Sequence, residues 1–267
     1  MPSPELLDEL LALALDAAHR AGALLRDGRP ADLGVADTKS SPVDVVTEMD
    51  LASEKLVLEL ITGSRPDDGY LGEEGADRPG TSGVRWVVDP LDGTVNYLYG
   101  LPSWGVSVAA ELDGRAVVGV VAVPSRGETF HAVLGGGAHL NGKPLSTRPA
   151  PPWGQALIGT GFGYLTARRT HQAEVLFALM PEVRDIRRAG AAAVDLCDVA
   201  AGRLDGFYER GLQPWDHAAG LLIAAEAGAL CGGRPGRPAD GGLTVTAPPG
   251  VFEPLQARLE ELGAWHD

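Results

Sequence analysis

The apolar positions near the start of the chain repeat with the 3.6-residue period of a helix. Residues 4–28 carry apolar side chains on one helical face and end at Gly28, so we predict one long amphipathic helix there. A second helix is predicted after Thr47, because Thr47 and Asp50 can cap its first turn. That helix must end before Gly63.

Beyond the second helix the period changes to that of β-strands. Residues 85–88 form a short apolar run that is typical of a buried strand. Further strands in the first half are predicted at residues 104–110, 116–123 and 128–133. In the second half we predict strands at residues 156–160, 185–187, 206–209 and 243–246, and helices at residues 166–180, 191–201, 216–227 and 251–262. Strands and helices alternate in that half, which favours an α/β arrangement.

Together these patterns predict α+β structure followed by α/β structure. Residues 1–150 should form a helix pair with a mostly antiparallel sheet, and residues 151–267 an α/β half. The prolines within residues 149–152 mark a seam between them. Because no linker there is long or polar enough to separate two domains, we expect residues 1–267 to fold as a single domain.

Composition and charge restrict the partners. Hydrophobic residues make up 45% of the chain and charged residues 22%, as in ordinary globular proteins. The net charge of −14 argues against nucleic acid or an anionic membrane surface as the main partner. An anionic substrate would need a local positive charge, and a metal ion is the obvious source. Without a signal peptide, a membrane-spanning run or a cysteine framework, we expect a soluble, cytoplasmic protein.

The richest chemical motif follows the strand predicted at residues 85–88. In Asp89-Pro90-Leu91-Asp92-Gly93-Thr94 two carboxylates three residues apart leave a buried strand on a turn. Carboxylate oxygens and the carbonyl of Leu91 are the hard ligands that Mg²⁺ or Mn²⁺ requires. The N–H groups of Gly93 and Thr94, at the start of a helical turn, could hold phosphate. Taken alone, the same residues could equally make a simple turn.

Three other acidic features have structural interpretations as well. Glu73-Glu74 lies between two glycines in a loop, where a solvated acidic turn is the simpler interpretation. Asp50 and Asp216 both stand at predicted helix starts, where acids commonly cap. His217 beside Asp216 is more typical of a structural histidine than of a base or ligand.

Taken together, these motifs resemble the inositol monophosphatase family. The resemblance spans nearly the whole chain and is carried by the segments Lys39-Ser40-Ser41-Pro42, 44–50, Gly72-Glu73-Glu74, 86–97, 190–197 and 215–220. It implies a layered α-β-α-β-α sandwich, as in inositol monophosphatases and fructose-1,6-bisphosphatases, and commonly a homodimer. It also implies a phosphatase that uses two or three Mg²⁺ ions, with Mn²⁺ as a substitute, and inhibition by lithium.

The resemblance also implies a role for each matched residue. Metal ligands would be Glu73, Asp89, the carbonyl of Leu91, Asp92 and Asp216. Glu73 and Thr94 would orient the attacking water, with Asp50 as a further acid. Substrate would be bound by Asp92, Gly93, Thr94, Gly190, Ala192 and Glu209. One departure concerns Ala191, where animal members have Thr, and it bears on the alcohol part of the substrate.

The expected reaction is hydrolysis of inositol monophosphate to inositol and phosphate by metal-activated water. Alternatives with the same chemistry are histidinol phosphate, fructose 1,6-bisphosphate, NADP(H) and adenosine 3′,5′-bisphosphate. A non-catalytic binding module would be expected to lack at least one metal ligand. This chain has a suitable residue at every position that matches the catalytic and metal-binding residues of the family. A calcium loop is disfavoured because regularly spaced oxygen ligands and a bidentate Glu are missing.

Overall fold

The computed structural model describes residues 2–39 and 44–266, so Ser40, Ser41 and Pro42 of the first motif lie outside the described residues. The α-helices of this part are α1 (Pro4–Asp27), α2 (Glu48–Ser64), α3 (Thr94–Leu98), α4 (Thr166–Leu179), α5 (Ala192–Ala200), α6 (Pro214–Glu226) and α7 (Phe252–Glu261). Across the described chain, no helix combines the length and apolar character needed to cross a bilayer.

Most of the strands belong to two sheets. The strands are β1 (Asp37–Thr38), β2 (Val45–Val46), β3 (Gly69–Gly72), β4 (Asp77–Arg78), β5 (Val84–Asp92), β6 (Gly105–Leu112), β7 (Arg115–Val123), β8 (Glu128–Val133), β9 (Gly137–Leu140), β10 (Lys143–Leu145), β11 (Leu157–Thr160), β12 (Asp185–Arg187), β13 (Gly206–Glu209), β14 (Leu230–Gly232) and β15 (Thr244–Ala247). One sheet has eight strands in the order β10-β9-β8-β7-β6-β5-β3-β4, and the other has five in the order β12-β11-β13-β15-β14. The first is antiparallel except between β3 and β5, as predicted for this half.

Three apolar cores hold the layers together. On one face of the eight-stranded sheet, α1 and α2 bury side chains such as Leu10 and Ile61 against Trp86. On its other face, α5 and α6 share a core with both sheets, to which Phe207 of β13 belongs. The outer face of the five-stranded sheet packs against α4 and α7. This is the predicted α-β-α-β-α sandwich, and because α5 and α6 join both sheets we propose that the chain folds as one domain.

The first two helices begin where the sequence places them. Ser3 caps α1, and its hydroxyl accepts a hydrogen bond from the N–H of Leu6. Thr47 and Asp50 form a reciprocal capping box at α2, as the predicted Thr and Asp caps require. Each such cap satisfies N–H groups that would otherwise lack a partner in the first turn.

Two features of the first sheet differ from the prediction. Strand β5 does not end at residue 88 but continues to Asp92, with a break in register between Asp89 and Asp92. Pro90 lies at this irregularity, the position in a sheet where a missing N–H is tolerated. The short strands β3, β4, β9 and β10 of this sheet have too few residues for a recognisable alternation, and they were not predicted; the same holds for β14 of the five-stranded sheet.

Candidate active site

All the predicted site residues except Asp50 line one cavity of about 640 Å³. It lies where the end of β5 meets the loop after β3, the segment 161–165 and the first turns of α3, α5 and α6. Its acidic side chains are Asp44, Glu73, Asp89, Asp92, Glu209 and Asp216, and its basic ones are Lys39, Arg168, Arg169, Arg188 and Arg210. Leu91, Gly93, Thr94, Gly190 and Ala192 complete the set of predicted residues on its wall.

The irregular end of β5 directs Asp89 into the cavity. Its Oδ1 accepts a hydrogen bond from the N–H of Leu91 at 3.0 Å, which closes a local turn. Ser53 of α2 donates its hydroxyl to the carbonyl of Pro90 at 2.8 Å. These two bonds fix the backbone, so the carbonyl of Leu91 and the Asp89 carboxylate belong to one rigid unit.

Asp92 has a structural role that the sequence did not reveal. Its carboxylate accepts hydrogen bonds from the N–H groups of Ala192 (3.1 Å), Ala193 (2.8 Å) and Val194 (3.4 Å). These N–H groups belong to the first turn of α5. The N-cap residue of this helix, Ala191, has no side-chain oxygen that could accept their hydrogen bonds. Asp92 therefore caps a helix that lies 100 residues further along the chain.

Gly93 and Thr94 begin the short helix α3 beside these carboxylates. Gly93 has a φ of +87°, and a Cβ there would lie 2.7 Å from the carbonyl oxygen of Ser103, so glycine is required. The Thr94 hydroxyl lies 2.8 Å from Asp50 Oδ1 and 3.1 Å from the Leu91 carbonyl. Asp50 does not line the cavity itself but stands behind Thr94.

Glu73 enters the cavity from the turn that follows β3. Lys39 lies 2.7 Å from a carboxylate oxygen of Glu73 and 2.7 Å from one of Glu74. The backbone of this turn is held by Glu54 of α2, which accepts the N–H groups of Glu74 at 2.8 Å and of Ala76 at 3.1 Å.

Two further acidic residues of the cavity belong to the second half of the chain. Asp216 stands in the first turn of α6 and accepts the N–H of Gln213 at 2.6 Å, so it also serves the capping role considered for it. Glu209 ends β13 and packs so tightly on Gly161 that a Cβ there would lie 2.0 Å from its carboxylate. His217 does not line the cavity.

The carboxyl groups of the cavity are held away from water and close to one another. Burial, Glu73 and Asp92 raise the pKa of Asp89 well above its ordinary value, and burial and Glu73 do the same for Asp216. Burial raises the pKa of Asp92 to about 7, although the N–H groups of α5 oppose the shift. It raises the pKa of Glu209 to about 8, with Arg188 acting in the opposite direction. Such shifts show that the site favours either protons or an added positive charge.

Lys39 pairs with two carboxylates at the edge of this acidic wall, those of Glu73 and Glu74. Burial opposes the charge of Lys39, but its contacts with Glu73 and Glu74 outweigh that effect and raise its pKa. Burial raises the pKa of Glu74 to about 7 despite the same contact. Lys39 therefore offsets part of the negative charge of the Glu73–Glu74 turn.

The donor set fits hard divalent cations. Carboxylates and a backbone carbonyl from β5, the 73–76 turn and α6 open into one cavity, and oxygen is the ligand atom that Mg²⁺ prefers. Within residues 2–39 and 44–266, no three acidic, histidine or cysteine side chains are already drawn together as ligands of one ion. Carboxylates on one wall repel one another, and a divalent cation between them would relieve that repulsion.

Sequence reasoning missed three positioning contacts. Glu54 and Ser53 were treated only as part of a helix, although polar residues at three and four positions after Asp50 on a buried face were a visible signal. Asn96 donates its amide to the carbonyls of Ser103 (2.6 Å) and Ala189 (2.8 Å). It thus joins the α3 turn to the segment that carries Gly190.

Comparisons with known proteins agree with this geometry. The model of the inositol monophosphatase family matches residues 6–262. A protein of Mycobacterium leprae named inositol-1-monophosphatase is 44% identical, covering 95% of this chain and 94% of its own. A protein of Pasteurella multocida named Nus factor SuhB is 41% identical over 84% of this chain and 85% of its own.

A solved structure gives the same result for the fold. The extragenic suppressor protein suhB of Bartonella henselae superposes with a TM-score of 0.86 at 34% identity, covering 97% of this chain and 99% of that one. Sequence match, relatives and architecture therefore lead to one conclusion: the chain belongs to the inositol monophosphatase family and is a phosphatase.

Proposed function

We propose that this phosphatase hydrolyses inositol monophosphate to inositol and inorganic phosphate in a Mg²⁺-dependent reaction. The observation that carries the proposal is the convergence of Glu73, Asp89, Asp92 and Asp216 on one cavity beside the Gly93–Thr94 turn. The names of its inositol-1-monophosphatase relatives support the substrate. Two or three Mg²⁺ ions, with Mn²⁺ as a substitute, are part of the proposal.

The metal ligands follow from the chemistry of the wall. Glu73, Asp89 and the carbonyl of Leu91 would hold one ion, and Asp89, Asp92 and Asp216 a second. When bound, Mg²⁺ supplies positive charge that offsets the charge of the phosphate monoester, the nucleophilic water and the leaving alkoxide. The Asp89 carboxylate is suited to both sites because it lies between the Glu73 turn and Asp92.

The chain itself positions the water that attacks phosphorus. Thr94 donates its hydroxyl hydrogen to Asp50 at 2.8 Å, which leaves its oxygen lone pairs free to accept a hydrogen from water. Asp50 is held in turn by the N–H and hydroxyl of Thr47 at 2.8 and 2.5 Å. Together with Glu73, Thr94 and Asp50 would orient the water and receive its proton.

Substrate binding divides between two segments. The N–H groups of Gly93 and Thr94, with Asp92 beside them, would hold the phosphate, while Gly190, Ala192 and Glu209 face the alcohol. Glu209 can accept hydrogen bonds from the hydroxyl groups of a polyol. Since Ala191 lacks a hydroxyl, the polyol depends more heavily on Glu209 here than in family members with Thr at that position.

The test is phosphate release with and without Mg²⁺ across a panel of monoesters. The panel contains inositol 1-phosphate, histidinol phosphate, fructose 1,6-bisphosphate, NADP⁺ and adenosine 3′,5′-bisphosphate. We expect Mg²⁺-dependent turnover with the highest kcat/KM for inositol 1-phosphate, and Glu209→Gln should change the ranking. A different best substrate would revise the alcohol assignment, while no release from any ester would favour a non-catalytic role like that suggested by the name Nus factor.

The resemblance also supports three properties beyond the reaction. We propose a homodimer, inhibition by lithium and a cytoplasmic location. Sedimentation at working concentration tests the first, and a LiCl titration of the phosphate-release assay tests the second. Cell fractionation of the producing organism tests the third.

A further inference from the structure

Helix α2 buries three polar side chains on the face that meets the site. Asp50, Ser53 and Glu54 are 0%, 0% and 6% exposed, and their spacing of three and four residues places them on one helical face. We call these three residues the α2 stripe. Burying polar groups costs free energy unless each finds a partner, and each member of the stripe bonds to a different segment of the active site.

Glu54 makes the most demanding of these contacts. Its two carboxylate oxygens accept the N–H groups of Glu74 and Ala76, and so span the turn that carries Glu73. A Cβ on Gly72 at the start of this turn would lie 2.3 Å from Glu54 Oε2, so a larger residue there would displace the Glu54 carboxylate. Hydrogen bonds from N–H groups to a carboxylate are stronger than those to a neutral acceptor.

If Glu54 served only to stabilise the fold, a negative charge beside the Glu73 turn would not be needed. Glu54 stands next to a turn that already contains Glu73 and Glu74, so its charge is opposed by theirs. Only a carboxylate presents two acceptor oxygens to two converging N–H groups, because an amide replaces one acceptor by a donor. The fixed turn holds Glu73 toward the cavity against the repulsion of Asp89.

We propose that Glu54 is a positioning residue that presets the Glu73 turn for cation binding, before any cation arrives. The inference rests on the proposed function, because it assumes that Glu73 is a metal ligand. The contact predicts a turn that is already ordered without metal, and a weaker cation affinity when the second acceptor oxygen is lost.

The test compares Glu54→Gln with the matched variant Glu111→Gln. Glu111 is 8% exposed and pairs with Arg85 at the far end of β6, so its loss also removes a buried carboxylate but leaves the Glu73 turn intact. The Mg²⁺ concentration that gives half of the maximal Tm increase should rise about tenfold or more in Glu54→Gln and stay unchanged in Glu111→Gln. The same increase should appear in the Mg²⁺ dependence of phosphate release, with kcat at saturating Mg²⁺ within about threefold of the unaltered protein.

Amide hydrogen exchange supplies a readout that does not depend on activity. In the unaltered, metal-free protein the amides of Glu74 and Ala76 should already be protected, and Glu54→Gln should abolish that protection while leaving β5 protected. Unprotected amides in the metal-free protein would overturn the proposal. So would a Glu54→Gln variant that keeps the original Mg²⁺ dependence or loses kcat alone. If no ester is hydrolysed, the proposed function fails, yet exchange and the Tm titration still decide the role of Glu54.

Discussion

Carboxylates gather at both ends of helix α5, and the two groups are treated in opposite ways. At the C-terminal end, Asp198 lies 3.0 Å from Arg126 and 2.9 Å from Arg203. Arg203 also pairs with Glu128. An acid in the last turn of a helix faces the negative end of the helix dipole, so these arginines provide the compensation it needs.

At the N-terminal end, Asp92 is compensated in a different way. Among the described residues it accepts hydrogen bonds from N–H groups of α5, and the neighbouring charge of Glu73 opposes its ionisation. The charge of Asp198 is thus compensated by two arginines, whereas Asp92 is stabilised by N–H groups and could still bind a cation. This difference agrees with our proposal that the acids at the N-terminal end bind a cation, whereas those at the C-terminal end stabilise the fold.

Asp89→Asn gives the strongest test of that contrast. It removes the carboxylate shared by both proposed metal positions, and we expect kcat/KM for phosphate release to fall by at least about 1000-fold, equivalent to several kcal/mol of transition-state stabilisation. The fold should persist, because the amide can still accept the N–H of Leu91. A circular-dichroism melt serves as the control, and retained turnover in a folded variant would contradict the metal assignment.

Mg²⁺ itself should distinguish the two ends. At about 100 times the dissociation constant, one bound ion stabilises the folded state by about 2.7 kcal/mol, which corresponds to a Tm increase of roughly 5–10 °C in a chain of this size. The increase should vanish in Asp89→Asn. Melting curves recorded with EDTA and with saturating MgCl₂ check this, and identical curves would refute the open acidic site.

Asp198→Asn should have a smaller effect of a different kind. Breaking this partly exposed network should lower the free energy of unfolding by about 1–2 kcal/mol, which is less than for a fully buried ion pair. The Tm should fall by roughly 2–6 °C as a result. The Tm increase in Mg²⁺ and the kcat/KM should stay as they were. A variant that lost Mg²⁺ stabilisation would show that the two ends of α5 are not independent.

The smallest expected effect concerns pH. The pKa of Glu209 is raised by burial from 4.5 to about 8, so the folded state holds a proton that the unfolded state has released. Between those values the unfolded state binds fewer protons, and the metal-free protein should therefore lose stability as pH rises. Urea unfolding of the metal-free protein at pH 5, 6, 7 and 8 checks this, and Glu209→Gln should show a shallower decline. An equally steep decline in the variant would remove Glu209 as a contributor.

Contacts between residues close together in the chain could be predicted from the sequence, whereas contacts between distant residues could not. Thr47 and Asp50 predicted the start of α2, and the 89–94 motif predicted the centre of the cavity, because caps and turns depend on neighbours in the chain. The capping of α5 by Asp92 could not be predicted, since backbone N–H groups carry no side-chain signature.

Strand geometry shows the same limit. Strand β5 was predicted at residues 85–88 because the apolar run ends there, at the start of the acidic motif, but pairing with β6 resumes at Asp92. Edge strands such as β4 contain two exposed residues and give no periodicity. Glu54 and Ser53 are exceptions among the missed residues, because polar side chains on a buried helical face were visible in the sequence and only their partners were not.

The hydrogen bonds between Asp92 and α5 also set an order of events when the chain is made. At about 5–20 residues per second, Ala192 leaves the ribosome roughly 5–20 seconds after Asp92. Throughout that interval the Asp92 carboxylate has no helix to cap, and contacts so distant in sequence form slowly. The acidic centre is therefore a late product of folding, and a nascent chain that has acquired it has already docked α5 on the eight-stranded sheet.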